Sequence, residues 1–176
     1  MRAIARRVFG IVAIATLALV LDQASKWLML EVVMDPPRTI PVTPFFNLRL
    51  GFNTGISFGL FGDTLQRWPE LLAIFKLAVA IAFIVWASTT IDPYERFGLA
   101  LIAGGALGNA VDRWRQGAVT DFLDFYWGDW HWPTFNGADI AISLGVVTIL
   151  YASLTYPRRL NGDSQEKADP APEHTR

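Results

Sequence analysis

Four long apolar runs punctuate the chain: "VFGIVAIATLALVL" over 8–21, "LLAIFKLAVAIAFIVWA" over 71–87, "FGLALIAGGALGNAV" over 97–111 and a run from Ala138 through "DIAISLGVVTILYASLTY" to Tyr156. Each approaches the length at which a helix crosses a bilayer. The first follows the basic "MRAIARR" and on its own also fits a secretory signal peptide. The sequence after it, "DQASKWLML", continues with good helix formers and neither Pro nor Gly, so one helix over 7–30 is expected, about 35 Å long and retained as a span. Pro69 and Glu70 suit the start of the second helix, and Lys76 there is read as snorkelling toward the interface. Gly104, Gly105, Ala106 and Gly108 in the third permit close helix packing. Pro157 and two arginines are expected to stop the fourth.

Between the first two spans, "FFNLRL" alternates apolar and polar residues and predicts a short strand, while Asn53, Gly55 and Gly59 favour turns. Trp68 and the aromatic run over 125–132 fit an interfacial belt. The expected fold is a predominantly α-helical integral membrane protein with four transmembrane helices, a small β platform and an outer loop. Residues 1–158 form its single domain, and 159–176 are a polar, disordered tail.

Composition agrees with membrane residence: of 176 residues, 52% are hydrophobic and 18% charged. A net charge of -1 with dispersed lysines and arginines excludes a nucleic-acid surface. There is no cysteine and only His131 and His174, so disulfides, thiolate chemistry and a His- or Cys-rich metal site are excluded. Arg2, Arg6 and Arg7 before the first span, Arg96 before the third, and Arg158 and Arg159 after the fourth place both termini in the cytoplasm. Residues 31–70 and 112–137 then lie on the opposite face.

Polar residues crowd at that outer end. Asp22 and Lys26 share a helix face at i,i+4 spacing and read as an ion pair. Asn109, Asp112 and Arg113 cluster at the end of the third span, where Arg113 either neutralises Asp112 or holds a substrate group. "VTDFLDFYWGDWHWPTFNGADI" gathers Asp121, Asp124, Asp129 and Asp139 among aromatic rings. Asp139 also suits a plain helix start. Two carboxylates in one site split their titrations, and such a pair activates water and donates a proton to a peptide carbonyl, the work of an aspartic peptidase. Neither HExxH nor GxSxG offers a competing centre. Spacing alone leaves several pairings of the four aspartates open. It also leaves a transporter with polar residues through the bundle depth, or a non-enzymatic assembly protein that needs no paired acids.

Four blocks resemble the bacterial lipoprotein signal peptidases, signal peptidase II: "DQASK" at 22–26, "FNLRLGFNTGISFGLF" at 46–61, "GGALGNAVDRWRQGAVTDFLDF" at 104–125 and "FNGADIAI" at 135–142. The resemblance implies a four-span inner-membrane aspartic endopeptidase, active at the periplasmic membrane edge. Its substrates are diacylglyceryl-modified prolipoproteins, cut before the lipidated cysteine. Asp121 and Asp139 fall on the catalytic pair, and Asp22, Lys26, Asn53, Gly55, Asn109, Asp112, Arg113 and Asn136 on supporting or substrate-binding positions. No cofactor or metal is implied; the partners are substrate and membrane lipids, and the protein is expected to be monomeric. Gly137, Ile140 and Ile56 depart from residues common in the family, which bears on local packing and loop behaviour rather than on the carboxylates.

Overall fold

The computed structural model describes residues 2–55 and 68–166. The first helix, α1 (Arg2–Leu28), passes into a π-helical turn, Met29–Val33. Two strands follow, β1 (Ile40–Thr43) and β2 (Phe46–Asn53), then the helices α2 (Pro69–Thr89) and α3 (Pro93–Gln116). A second strand pair, β3 (Val119–Trp127) and β4 (Trp130–His131), leads into α4 (Gly137–Glu166).

All four apolar runs are helical, but the helices outrun them, and both ends of α3 are set by capping residues outside its apolar run. Asp92 starts α3 by accepting hydrogen bonds from the backbone N–H groups of Tyr94 (2.7 Å) and Glu95 (3.2 Å), with Pro93 in the first turn. Gly117 ends the same helix in the left-handed region (φ 76°), its N–H donating to Arg113 O. The expected stop of α4 at Pro157 is not observed: the helix continues to Glu166. Residues 167–176 of the expected tail lie outside the described residues, as do Ile56 and Gly59.

Among the described residues, three helical segments are long and apolar enough to cross a membrane: Ile4–Val33, Pro69–Thr89 and Gly137–Thr155. Their apolar side chains mostly point outward, as with Phe9, Leu17, Phe75 and Val147, which hydrocarbon tolerates and water does not. The helix α3 lies outside that set, because its outer turns carry Asp112, Arg113 and Arg115. It is instead the buried centre of the bundle, packed against α1, α2 and α4. Small residues permit this. A Cβ on Gly98 would lie 2.6 Å from Gly145 O, and one on Gly145 would lie 2.5 Å from Gly98 O, so α3 and α4 cross with their backbones in contact.

The strands form one antiparallel sheet in the order β1-β2-β3-β4. The expected strand "FFNLRL" lies mostly within β2. Its partner β3 falls in the stretch read as an interfacial aromatic run, although "VTDFLDFYW" has the β-branched and aromatic content of a strand. Gly128 (φ 59°) turns the chain back so that Trp127 pairs with Trp130. Pairing of β2 with β3 sets Gly51 opposite Asp121 and Asn53 opposite Val119, which carries the first outer segment to the end of the bundle where α3 finishes and α4 begins.

Candidate active site

The start of α4 is built by Asn136 and Asp139 acting on each other. The backbone N–H of Asp139 donates to Asn136 Oδ1 (3.1 Å), and the backbone N–H of Asn136 donates to Asp139 Oδ2 (3.2 Å). This is the reciprocal arrangement of a capping box, with Asn as the cap and Asp three residues on. The helix-start role considered for Asp139 is therefore real, but it does not use the whole carboxylate. Asp139 Oδ1 accepts from Asn109 Nδ2 at 3.1 Å, which ties the end of α3 to the start of α4.

Asp121 comes from β3 and is 3% exposed. Asn136 Nδ2 donates to its Oδ1 at 2.6 Å, and Asn53 also hydrogen-bonds to it. One asparagine thus touches both acids expected to pair. Burial and the neighbouring charge of Asp139 push the Asp121 carboxyl up to about 7, against the opposing pull of the Asn136 hydrogen bond, Lys26 and the Asn53 hydrogen bond. Around neutral pH Asp121 is therefore only partly ionised, and it stands beside the carboxyl group of Asp139 at a helix N-terminus.

Beneath the two acids lies an ion cluster. Lys26 Nζ is 2.8 Å from Asp22 Oδ2 and 2.7 Å from Asp112 Oδ2, and donates to Asn109 Oδ1 at 3.2 Å. The expected pair of Asp22 and Lys26 is present but belongs to a larger group that joins α1 to α3. Asp22 Oδ1 also accepts the backbone N–H of Ala138 (2.8 Å), supplying a second cap to α4 from across the bundle. Gly108 makes this approach possible, because a Cβ there would overlap Asp22 Oδ2. Asp112 accepts from Gln23 Nε2 (2.7 Å) and from the backbone N–H of Thr120 (3.1 Å). Gln23 and Thr120 are supporting residues that the sequence reading passed over; the place of Gln23 directly after Asp22 was the available signal.

Arg113 does not take Asp112, whose counter-ion is Lys26. Its Nη2 donates to Gly55 O (2.9 Å) and its Nη1 to Asn109 O (3.4 Å), while Nε is buried without a hydrogen-bond partner among the described residues. Asn53 Oδ1 accepts the Gly55 N–H (3.1 Å), so the chain after β2 is held to the site at both Asn53 and Gly55. Gly137 lies against α1, where an added Cβ would stand in ordinary contact, 3.4 Å from Asp22 Cα and Ser25 Oγ.

Of the four aspartates, Asp129 is exposed in the β3–β4 turn. Asp124 is fully buried, bonded to His131 Nδ1 (2.8 Å) and Asn47 Nδ2 (3.3 Å), with Arg49 Nε at 3.5 Å. Its odd-numbered separation from Asp121 puts the two on opposite faces of β3. Among the described residues no three His, Cys, Asp or Glu side chains converge as donors for a metal ion.

The chain is similar to known proteins. Residues 14–155 match the family model described as signal peptidase (SPase) II. A lipoprotein signal peptidase of Rhodopseudomonas palustris (strain TIE-1) is 42% identical over 145 residues, covering 80% of this chain and 88% of that protein. One from Nitratidesulfovibrio vulgaris (strain DP4) is 38% identical over 162 residues, covering 88% and 95%. A bacterial membrane enzyme solved by the in meso method at 1.9 Å resolution superposes with a TM-score of 0.69 at 27% identity, over 82% of this chain and 92% of that one.

Proposed function

The chain belongs to the signal peptidase II family and is a peptidase that removes signal peptides from prolipoproteins; from that premise we propose that Asp121 and Asp139 are its reacting carboxyls and that the bond cut precedes a diacylglyceryl-modified cysteine. The observation that carries this reading is the shared Asn136, whose side chain bonds to Asp121 and caps Asp139. Asp139, charged at the helix N-terminus, takes a proton from water as the water oxygen attacks the scissile carbonyl carbon. Asp121, which keeps its proton up to about 7, donates it to the carbonyl oxygen. When the tetrahedral intermediate collapses, the C–N bond breaks, the leaving nitrogen takes the proton held on Asp139, and a hydroxyl of the intermediate returns its proton to Asp121 as the carbonyl re-forms.

The other residues hold this pair and the substrate. Asn109 and Asn136 fix the carboxyls, and Asp22, Lys26 and Asp112 brace the helix ends beneath them. Arg113, Asn53 and Gly55 form the wall against which an extended substrate backbone lies. No cofactor or metal takes part. We count α3 as a fourth span, since it is the central helix against which the three apolar helices pack. That makes the count even, with both termini cytoplasmic, the site at the periplasmic edge of the bacterial inner membrane and the sheet as a platform beside it. Residues 1–158 act as one domain, alone rather than as an oligomer, with 159–176 as a cytoplasmic tail. A site at the membrane edge lets the substrate's acyl chains stay in hydrocarbon, avoiding about 0.8 kcal/mol for each CH₂ withdrawn.

The test is cleavage of a diacylglyceryl-modified prolipoprotein by the purified protein in detergent, comparing wild type with Asp121→Asn and Asp139→Asn. Both variants fold and lose cleavage. Full activity in either folded variant overturns the assignment.

A further inference from the structure

One charged side chain near the site is not used by the chemistry above. On α2 the buried residues Ala73, Ala80 and Ala87 recur at seven-residue intervals and mark the inward stripe of the helix. Lys76 lies three residues after Ala73 and four before Ala80, on that same stripe, and is half-buried, whereas Ile74, Phe75 and Leu77 beside it are exposed on the outer side.

Its level in the bundle follows from its neighbours. Ala80 packs with Ala15, Ala103 and Ala106. The helices α2 and α3 are joined by a short link at residues 90–92 and run in opposite directions. One turn from Ala80 toward the start of α2 is therefore level with one turn past Ala106 on α3, where Asn109 stands, with Arg113 one turn further out. The charge of Asp139 attracts Lys76, while that of Arg113 repels it. Among the described residues it makes no hydrogen bond or ion pair that would fix it elsewhere.

The charges facing this region are Asp22 and Lys26 from α1, Asp112 and Arg113 from α3, Asp121 from β3 and Asp139 from α4. Lys26 pairs with both Asp22 and Asp112, and Asp121 is the strongest charge acting on Arg113. With one proton on the aspartate pair, two cations face three negative charges, which leaves one negative charge in excess in a low-dielectric setting, a costly state. Among the described residues, Lys76 is the remaining positive charge at that level of the bundle.

We propose that Lys76 is a positioning residue, the counter-charge on the α2 side of the site that balances the Asp121–Asp139 pair while the pair carries one negative charge. This rests on the reading of those two aspartates as the reacting carboxyls. Without Lys76 the pair keeps its second proton to higher pH, and the active, singly charged form appears later as pH rises.

The experiment is the pH profile of kcat/KM for the full-length protein in detergent on a diacylglyceryl-modified prolipoprotein, with Lys76→Met, Lys76→Gln and Lys76→Arg beside wild type. In Met and Gln the acidic limb moves toward higher pH by about one unit, so that on that limb activity falls about tenfold. Lys76→Arg restores the wild-type limb. A merely structural role lowers activity at every pH without moving the limb. Lys76→Gln keeps a polar tip and gives the same comparison if methionine is poorly folded by thermal unfolding. Limbs that coincide with wild type in the folded neutral variants overturn the proposal. Failure of the underlying reading is seen separately, as wild-type cleavage by Asp121→Asn or Asp139→Asn.

Discussion

Asn136 donates a 2.6 Å hydrogen bond to Asp121 while its own backbone N–H is held by Asp139, so one residue sets the spacing of two carboxyls that come from a strand and a helix. Asn136→Ala removes the amide from both. It leaves a buried Asp121 oxygen and Asn109 Oδ1 short of a donor, at about 1–3 kcal/mol for each unsatisfied group, and takes away a helix cap worth about 1 kcal/mol. The expected outcome is a kcat about tenfold to a hundredfold lower, together with a lower unfolding temperature. Steady-state cleavage kinetics and thermal unfolding in the same detergent check the two effects together.

The raised Asp121 carboxyl makes both activity and stability depend on pH. Its ordinary value is 3.8 and its folded value about 7, so between those limits the folded protein holds a proton that the unfolded chain has released. The stability contributed by this group is present in full below about 4 and declines as pH rises toward about 7, then levels off. Cleavage falls over the upper part of the same window as Asp121 loses the proton it donates. Asp121→Asn, which is neutral throughout, removes this component of the stability profile. Thermal unfolding from pH 4 to 9, wild type against variant, is the measurement; parallel profiles would contradict the assignment of the proton to Asp121.

Lys26→Met leaves Asp22 and Asp112 buried without their shared cation. Loss of one partner from a buried ion cluster costs about 3–5 kcal/mol, and Asp22 also caps α4 through Ala138. We expect a large fall in thermal stability and loss of cleavage together, read by unfolding and by size-exclusion chromatography in detergent. Substituting the exposed Lys26-independent acid Glu31 is expected to change neither by more than about 0.5 kcal/mol.

Asp124→Ala separates platform from chemistry. The substitution strips partners from Asn47, His131 and Arg49 on the face of β3 away from Asp121. It is expected to destabilise by about 1–3 kcal/mol, while the exposed Asp129→Ala stays near wild type. Equal unfolding temperatures for the two variants would show the Asp124 network to be without structural weight.

The helices were legible in the sequence because an apolar run of sufficient length has few alternatives, and the polar crowding at one end was visible for the same reason. The start of α2 at Pro69 and Glu70 was legible as well; the limits of α3 and the capping of α4 were not, since Asp92, Gly117 and the Asn136–Asp139 box act through backbone geometry outside the apolar runs. The strand β3 was hidden by its aromatics, which suit both a sheet and a membrane interface. Asp22 and Lys26 were recognised as a pair, but their third partner, Asp112, is contributed by another helix that no local spacing can reveal. For Lys76 the sequence shows depth along the helix, whereas the direction a single lysine faces depends on which neighbours bury the stripe around it.

The crossing at Gly98 and Gly145 also bears on how a substrate helix enters. Where two backbones touch, there are no side chains to slide or rotate, and any separation opens a void along the seam. The helices that carry Asn109 and Asp139 therefore behave as a single rigid plate. A substrate helix is then expected to enter without prising α3 from α4, which leaves the hydrogen bond between Asn109 and Asp139 intact.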